Sequence, residues 1–481
     1  MKHNSLLQQC ELGQIRRIHF IGVAGVGMSG IAMVLANQGF QVTGSDCGAS
    51  QTRVAQLIEA GIQVYTDHAA SHLEGVDVVV VSSAIPKAHI EYQAALNAGI
   101  PMLKRAEMLS ELMRFHRGIA ISGTHGKTTT TSLVASVFEH AGKDPTYVIG
   151  GHVKCNMGQV RVGQQDYFIA EADESDASFL YLRPVIAVIT SIDADHLDTY
   201  QGSLDQLKSA FVQFAHQLPF YGHLVLCLDD PHAAALKSRI QRPCITYGRH
   251  CDAEYRLIST QVVGLTTQFV VQAPDQSCHT LCLNGPGVHQ VSNAMAALVV
   301  ARTCHIEWDV IATALKAFPG VKRRFDVLGT YDWSSAQTGI SIVDDYGHHP
   351  SAVRVTLEAA RAVWSSRRIV LCFEPHRYSR LKDLFNEFVE ALSDADQLIL
   401  MPVYACGESP QAGYEGHALQ QALQSRCDQT VHNATDLNQL ETLLTTVLKS
   451  DDILICQGAG ALSQHIRALV SHRCPVMLED I

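Results

Sequence analysis

One stretch constrains the fold of this chain more than any other: Ile119-Ala120-Ile121-Ser122-Gly123-Thr124-His125-Gly126-Lys127-Thr128-Thr129-Thr130. An apolar run leads into two glycines, a lysine and a row of threonines, and Ser132 to Phe138 then reads as a helix. Glycines let a backbone turn sharply and approach a ligand closely. The N–H groups of the helix start point at an anion. Lys127 is placed to reach terminal phosphates, and the Thr128 hydroxyl to ligate Mg²⁺. Gly123, Thr124, His125, Gly126, Lys127, Thr128 and Thr129 are therefore candidate nucleotide-binding residues. Only Thr124 and His125 separate the two glycines, so the loop departs from a strict Walker A motif. The alternative is a glycine- and threonine-rich turn that merely caps a helix.

A chain of 481 residues has room for about three domains on the usual size of roughly 100–200 residues each. Its net charge of −11 argues against nucleic acid as the main partner, because phosphate backbones need a basic face. A local basic pocket can still hold a small anion. The 14 cysteines, scattered from Cys10 to Cys474 without a C-x-x-C pair, suit reduced thiols packed as small hydrophobes. The apolar stretch from His19 to Ala36 contains four glycines and a serine. It reads as strand, glycine turn and helix rather than a signal or membrane span. The expectation is a soluble, cytoplasmic protein without membrane insertion.

Residues 1–117 read as a first domain. Arg17 to Ile21 is a buried strand, Gly25, Gly27 and Gly30 form a G-x-G-x-x-G turn, and Ile31 to Asn37 is helical. A second strand, Gln41 to Ser45, ends at Asp46, where a Rossmann fold puts its ribose-binding acid. Val78 to Val81, ending in Ser82-Ser83, and Ile100 to Leu103 are further strands. Strands alternating with helices predict a parallel sheet, with a nucleotide diphosphate near Gly25, Gly27, Asp46 and Ser82. From this domain alone NAD is the obvious ligand, against which the phosphate loop downstream speaks, and tight glycine packing is the bland alternative.

Residues 118–320 read as a second domain. Two strands run into acidic clusters, Glu171-Ala172-Asp173-Glu174-Ser175-Asp176 and Asp193-Ala194-Asp195-His196-Leu197-Asp198, on the side where the phosphate loop sits. Carboxylates and an imidazole there can hold divalent cations beside phosphates; Glu171 and His196 are the candidates, most of the other acids being read as caps or solvent-facing groups. Alternation between Tyr255 and Leu283 predicts flanking antiparallel strands. Asn293, early in an alanine-rich helix, could read an adenine edge or be an ordinary helix-start asparagine.

Residues 321–481 read as a third domain with a second doubly wound sheet, its strands at Ile340 to Val343, Arg368 to Phe373, Gln397 to Met401 and Ile453 to Cys456. Lys322-Arg323-Arg324-Phe325 follows a linker-like Phe318-Pro319-Gly320. An arginine at a junction can close onto a transferring phosphoryl group; a solvated basic turn is the alternative. Arg377 and Arg380, three apart, share a face if they sit on a helix start, and such a pair suits a carboxylate.

Taken together, these motifs and Asp344-Asp345-Tyr346-Gly347-His348-His349-Pro350 and His376-Arg377-Tyr378-Ser379-Arg380 resemble the Mur ligase family over nearly the whole chain, most closely its alanine-adding branch. The resemblance implies three α/β domains: an N-terminal Rossmann-like domain for a UDP-sugar, a central P-loop-type ATPase domain with flanking antiparallel strands, and a C-terminal Rossmann-like domain that brings the amino acid. It implies ATP-dependent joining of L-alanine to UDP-N-acetylmuramate in peptidoglycan precursor synthesis, with ATP as co-substrate and Mg²⁺ or Mn²⁺ as cofactor. By resemblance, Thr128, Glu171 and His196 touch the metal, and Asn293, Arg324 and Asp345 hold ATP. Gly25, Gly27, Asp46 and Ser82 bind the UDP-sugar, and Tyr346, Arg377 and Arg380 the amino acid. Lys127, His196, Arg324, His348 and His376 are the expected catalytic residues, His348 or His376 being the candidate acceptor of the amine proton. The oligomeric expectation is a monomer–dimer equilibrium.

Four positions depart from the family pattern. Gln290 follows His289 where an asparagine is usual, Asp67 precedes His68 where a glycine is usual, and Ala461 follows the Gly458-Ala459-Gly460 turn in place of an acid. Phe211 stands where other members carry a carbamylated lysine, so no carbamate is implied. Alternatives are a ligase that attaches an intact tripeptide to the same sugar nucleotide, an NAD-dependent dehydrogenase, and a non-catalytic ATP-binding regulator.

Overall fold

The computed structural model describes residues 15–82, 84–151, 153–154, 158–414, 416–426 and 430–476; Ser83 and Cys10 lie outside them. Three sheets carry the three α/β domains. The chain also partitions into two compact units. One holds 1–257, 271–279 and 293–315, and the other 258–270, 280–292 and 316–481.

In the first unit, β1 (Arg17–Ile21), β2 (Gln41–Ser45), β3 (Gln63–Tyr65), β4 (Val78–Val81) and β5 (Met102–Lys104) form a parallel sheet in the order β3-β2-β1-β4-β5. The strand order reverses between β1 and β4. That reversal opens a crevice beyond the strand ends, the place where open α/β sheets bind ligands. The interior strands are Val- and Ile-rich because helices cover both faces.

The central strands are β6 (Arg117–Ser122), β7 (Thr146–Val148), β8 (Val160–Arg161), β9 (Tyr167–Glu171), β10 (Ile186–Ile189), β11 (His223–Cys227) and β12 (Cys244–Gly248). They run in the order β12-β11-β10-β6-β9-β7-β8, parallel except for the β7–β8 pair. The alternating region forms β13 (Tyr255–Val263), β14 (Thr266–Gln272) and β15 (Cys278–Asn284), which succeed β12 in that order. Gly30 has a packing role: a Cβ there would meet Val160 Cγ2 at 2.7 Å. The third glycine of the G-x-G-x-x-G turn thus lets its helix, Val26–Asn37, lie close on β8.

In the second unit, β16 (Asp326–Tyr331), β17 (Ile340–Asp345), β18 (Ile369–Glu374), β19 (Gln397–Leu400), β20 (Val431–Asn433) and β21 (Ile453–Gly458) follow the order β16-β17-β21-β18-β19-β20. All are parallel except the edge pair β16–β17. The four strands read from the sequence are β17, β18, β19 and β21; the two edge strands are the additions. Among the described residues no helix is long and apolar enough to cross a membrane, and the described cysteines are free thiols.

Candidate active site

The phosphate loop connects β6 to the helix Lys127–His140, whose first residue follows Gly126 at φ +81°. Gly123, at φ +128°, passes so close to β10 that a Cβ would meet Thr190 Oγ1 at 2.1 Å. The loop is strapped to the exit of that strand. Thr124 N–H donates to Ser191 O at 2.9 Å, Thr190 Oγ1 donates to His125 O at 2.5 Å, and His125 Nε2 lies 2.9 Å from Asp193 Oδ2. These bonds fix the backbone so that the helix-start N–H groups keep one direction, which is what anion binding needs.

Lys127 Nζ donates to Gly123 O at 2.9 Å and to Glu174 Oε1 and Oε2 at 3.0 and 2.7 Å. Burial pulls this ammonium toward deprotonation, but the Glu174, Asp173 and Glu171 carboxylates more than offset it, holding its pKa above the usual lysine value. Burial drives the Glu174 carboxyl upward too; an ammonium at 2.7 Å keeps the pair ionised. Glu174, only 1% exposed, was read from the sequence as a cap or solvent-facing acid. It is instead the partner of the loop lysine. The only hint in the sequence was its place three residues beyond Glu171.

Glu171, the last residue of β9, accepts from Thr128 Oγ1, which lies 3.2 and 3.1 Å from its two oxygens. Gly150 N–H also donates to it. A hydroxyl and a carboxylate thus converge beside the helix start, an oxygen donor set that fits Mg²⁺ or Mn²⁺. His196 sits in the left-handed region at φ +56°, its Nε2 3.5 Å from Asp195 Oδ2. Its charge contributes to holding Asp173 below the usual carboxylate range; burial opposes this, and Lys127 and Ser175 act in the same sense as His196. Asn293 lies against the loop: its Oδ1 accepts from Thr130 Oγ1 at 3.3 Å and would lie 2.3 Å from a Cβ on Gly126. It braces the loop.

At the crevice of the first sheet, Gly22 takes φ +81° and a Cβ there would meet Ser82 Cβ at 3.2 Å. Asp46 Oδ2 accepts from Ala24 N–H and Oδ1 from Gly48 N–H, both at 3.0 Å. Gly25 and Gly27 thus lie on a turn that Asp46 holds through Ala24 and that Ser82 approaches at Gly22. Arg105, absent from the sequence reading, lies over it: a Cβ on Gly27 would touch its Cδ and Nη1 at 3.1 Å.

In the second unit, Asp345 does not present its carboxylate outward. It accepts from Phe325 N–H and Gly347 N–H, each at 2.7 Å, and from Gln457 Nε2 at 3.0 Å. It thereby pins the turn that carries Arg324, whose guanidinium lies 5.1 Å from the Tyr346 ring centre. Burial pushes the neighbouring His289 down to about 4; Asp345 opposes that and Arg324 adds to it. Tyr346, His348, His376 and Tyr404 form a row of rings with successive centroids 5.3, 5.5 and 5.3 Å apart.

The shared-face expectation for Arg377 and Arg380 is corrected. Arg377 precedes the helix Tyr378–Asp383 at φ +69°, so helical spacing does not relate the two. Arg377 Nε donates to Glu408 Oε1 at 2.6 Å, whereas Arg380 is buried with Nη1 3.3 Å from His376 Nδ1. At the Gly458-Ala459-Gly460 turn, the Gly460 and Ala461 N–H groups donate to Glu374, the last residue of β18, at 2.8 and 3.2 Å.

Three family models match the chain in sequence order: the Mur ligase family catalytic domain over 17–117, the Mur ligase middle domain over 121–301, and the Mur ligase glutamate ligase domain over 323–460. The chain belongs to the Mur ligase family. Members are ATP-dependent ligases of peptidoglycan precursor synthesis. Among solved structures, it is similar to the UDP-N-acetylmuramate–alanine ligase of Thermotoga maritima, with 27% identity and a TM-score of 0.78 over 95% of this chain and 98% of that one. A murein peptide ligase of Psychrobacter arcticus shares the fold, at 23% identity and TM-score 0.66 over 95% and 98%. A UDP-N-acetylmuramate:L-alanyl-γ-D-glutamyl-meso-diaminopimelate ligase of Neisseria meningitidis matches at 27% identity and TM-score 0.59 over 64% of this chain and all of that one, 100%. In this Mur ligase Phe211 is fully buried, edge-on to Phe179 at 5.2 Å. The position is part of the core and offers no metal ligand.

Proposed function

We propose that this Mur ligase joins L-alanine to the lactyl carboxylate of UDP-N-acetylmuramate at the expense of ATP. The observation that supports this reading best is its higher structural likeness, over 95% of this chain, to a UDP-N-acetylmuramate–alanine ligase, at TM-score 0.78, than to a murein peptide ligase, at TM-score 0.66. The neighbour named for L-alanyl-γ-D-glutamyl-meso-diaminopimelate keeps attachment of an intact tripeptide as the second reading.

A carboxylate resists attack by an amine because its leaving group would be an oxide. Transfer of the γ-phosphoryl group from ATP to the lactyl carboxylate forms a C–O–P linkage and releases ADP. The alanine amine then attacks the carbonyl carbon, the C–N bond forms, and phosphate departs with the C–O bond electrons. Most of the first step is positioning and charge neutralisation. Gly123 to Thr129 cradle the phosphates, and Lys127 exchanges Glu174 for a phosphate oxygen. Thr128 and Glu171, with His196 as a further candidate ligand, would hold Mg²⁺, which would supply charge neutralisation on the nucleotide phosphates. Arg324 adds a cation to the transferring group from a turn fixed by Asp345, and Asn293 keeps the loop in shape.

Gly25, Gly27, Asp46 and Ser82 form the UDP-sugar turn, with Arg105 as a further cation for the diphosphate. Arg377, oriented by Glu408, receives the alanine carboxylate beside Tyr346. Arg380 positions His376, and His376 or His348 accepts the amine proton. The reaction proposed here draws on ATP and a UDP-sugar, and a cytoplasmic location is part of the same proposal.

The test is phosphate release from Mg²⁺-ATP with UDP-N-acetylmuramate, with and without L-alanine, in wild type and Lys127→Ala. Release that needs both substrates and is lost in the variant supports the proposal. Release driven by the tripeptide but not by alanine replaces it with the second reading.

A further inference from the structure

Four histidines surround one carboxylate at the crevice end of the first sheet, and the ligase chemistry uses none of them. Glu91, the second residue of the helix Ile90–Asn97, is fully buried, a costly place for a carboxylate unless it is well partnered. Its Oε1 accepts from His72 Nδ1 at 2.8 Å and from Ala69 N–H at 3.3 Å. Its Oε2 accepts from Ser45 Oγ at 2.5 Å and lies 3.3 Å from His68 Nδ1.

One imidazole here is left without hydrogen bonds and a second has one unpaired nitrogen, its other nitrogen, His19 Nδ1, lying 2.8 Å from Thr43 Oγ1. Both ring nitrogens of His89 are buried and make no hydrogen bond to any described residue. His19, fully buried, aims an Nε2 without a hydrogen bond at Glu91 Oε2 from 3.8 Å. Buried polar nitrogens are almost always satisfied, so such atoms around one carboxylate point to a missing ligand. His89 stands edge-on to His68 with ring centroids 4.3 Å apart, and one ligand atom each from His68, His89 and Glu91 lies within 4.8 Å of the others.

We propose that His68, His89 and Glu91 bind a divalent transition-metal ion of the Zn²⁺ type. Two imidazoles and one carboxylate are a three-ligand set that leaves a fourth position open. The nitrogen donors favour Zn²⁺ or Co²⁺ over Mg²⁺, which takes oxygen ligands, so this site is chemically distinct from the one at Thr128 and Glu171. Ser45, Ala69 and His72 hold the carboxylate in place, as partners of metal ligands do. Zn–ligand bonds of about 2.0–2.1 Å require the three ligands to draw together slightly. His89, the residue before the helix, can turn its ring without breaking a hydrogen bond to any described residue.

The experiment uses the full-length protein, stripped of metal, in a Glu171→Gln background that weakens the phosphate-loop site. Zn²⁺ binding is followed by equilibrium dialysis, and Co²⁺ by its visible ligand-field absorption. One equivalent of Zn²⁺ and a tetrahedral Co²⁺ band are expected. His89→Gln and His68→Gln should each weaken binding by at least roughly 10–100-fold, the range seen even for partners behind the ligands, with unchanged circular dichroism. His250→Ala, in the exposed His250-Cys251-Asp252 turn, should change nothing. No retained Zn²⁺, or a Co²⁺ band that survives both glutamine substitutions, would overturn the proposal.

Discussion

Replacing Glu174 by glutamine tests the central feature of the phosphate loop. Lys127 and Glu174 lie 2.7 Å apart with side chains 14% and 1% exposed. At an effective dielectric constant of about 20, two charges at that distance attract by about 6 kcal/mol. Desolvation offsets several kcal/mol of this for each ion, and removing one partner of a buried pair usually costs about 3–5 kcal/mol. Glutamine keeps the shape and one acceptor, and Lys127 retains Gly123 O at 2.9 Å. The expected loss for Glu174→Gln is therefore at the low end, about 3 kcal/mol, or roughly 6–12 °C in the melting of this domain. Nucleotide should change the comparison. If Lys127 moves to a phosphate, the phosphate replaces Glu174 as counter-charge and the deficit narrows. By linkage, each ~1.4 kcal/mol of narrowing is a tenfold gain in ATP affinity of the variant. The assay is thermal and urea unfolding with and without Mg²⁺-ATP, alongside direct titration of ATP. A variant as stable as the parent without nucleotide would refute the contribution of the pair. A deficit untouched by ATP would refute the transfer of Lys127.

Three further outcomes follow from the same geometry. Gly123→Ala should cost more than about 3 kcal/mol in urea unfolding, since φ is +128° and the new methyl meets Thr190 Oγ1 at 2.1 Å; Gly61→Ala, at φ +82° in open space, should cost about 1–2 kcal/mol. Glu171→Gln should raise the Mg²⁺ concentration needed for half-maximal phosphate release at least about tenfold, read from a Mg²⁺ titration at fixed ATP. Glu91 should carry acid sensitivity. Burial pushes its carboxyl up, but His19, Ser45 and His72 pull it down to about 2 from an ordinary 4.5. A lowered folded value stabilises the protein fully above the unfolded value and is lost as pH falls from about 4.5 toward 2. The contribution, on the order of 2–3 kcal/mol, should vanish from the pH dependence of the urea midpoint in Glu91→Gln.

The motifs were legible in the sequence because each is local. A strand, a glycine turn and a helix start need only a few consecutive residues, and Gly123, Gly126, Lys127 and Thr128 declare them by conformational freedom and side-chain type. The same holds for the acidic residues at the ends of β9 and β10, since a parallel sheet sends all its strand exits to one side. Periodicity likewise marked four of the six strands in the C-terminal sheet; the short edge strand β20 and the antiparallel β16 carried too little pattern to be read.

What the sequence could not determine is which groups meet across long separations. Glu174 is 47 residues from Lys127, and nothing in the local pattern distinguishes it from Asp173 or Asp176. Asp345 was visible as a motif acid, yet its hydrogen bonds to Phe325, Gly347 and Gln457 depend on the register of β17 beside β21. Arg377 and Arg380 misled because spacing rules hold only inside a helix, and the φ of Arg377 puts it outside. The residue types and their order named the chemistry. The tertiary structure decided which of those residues face a ligand and which hold another residue in place, because that choice is made by strand order and packing.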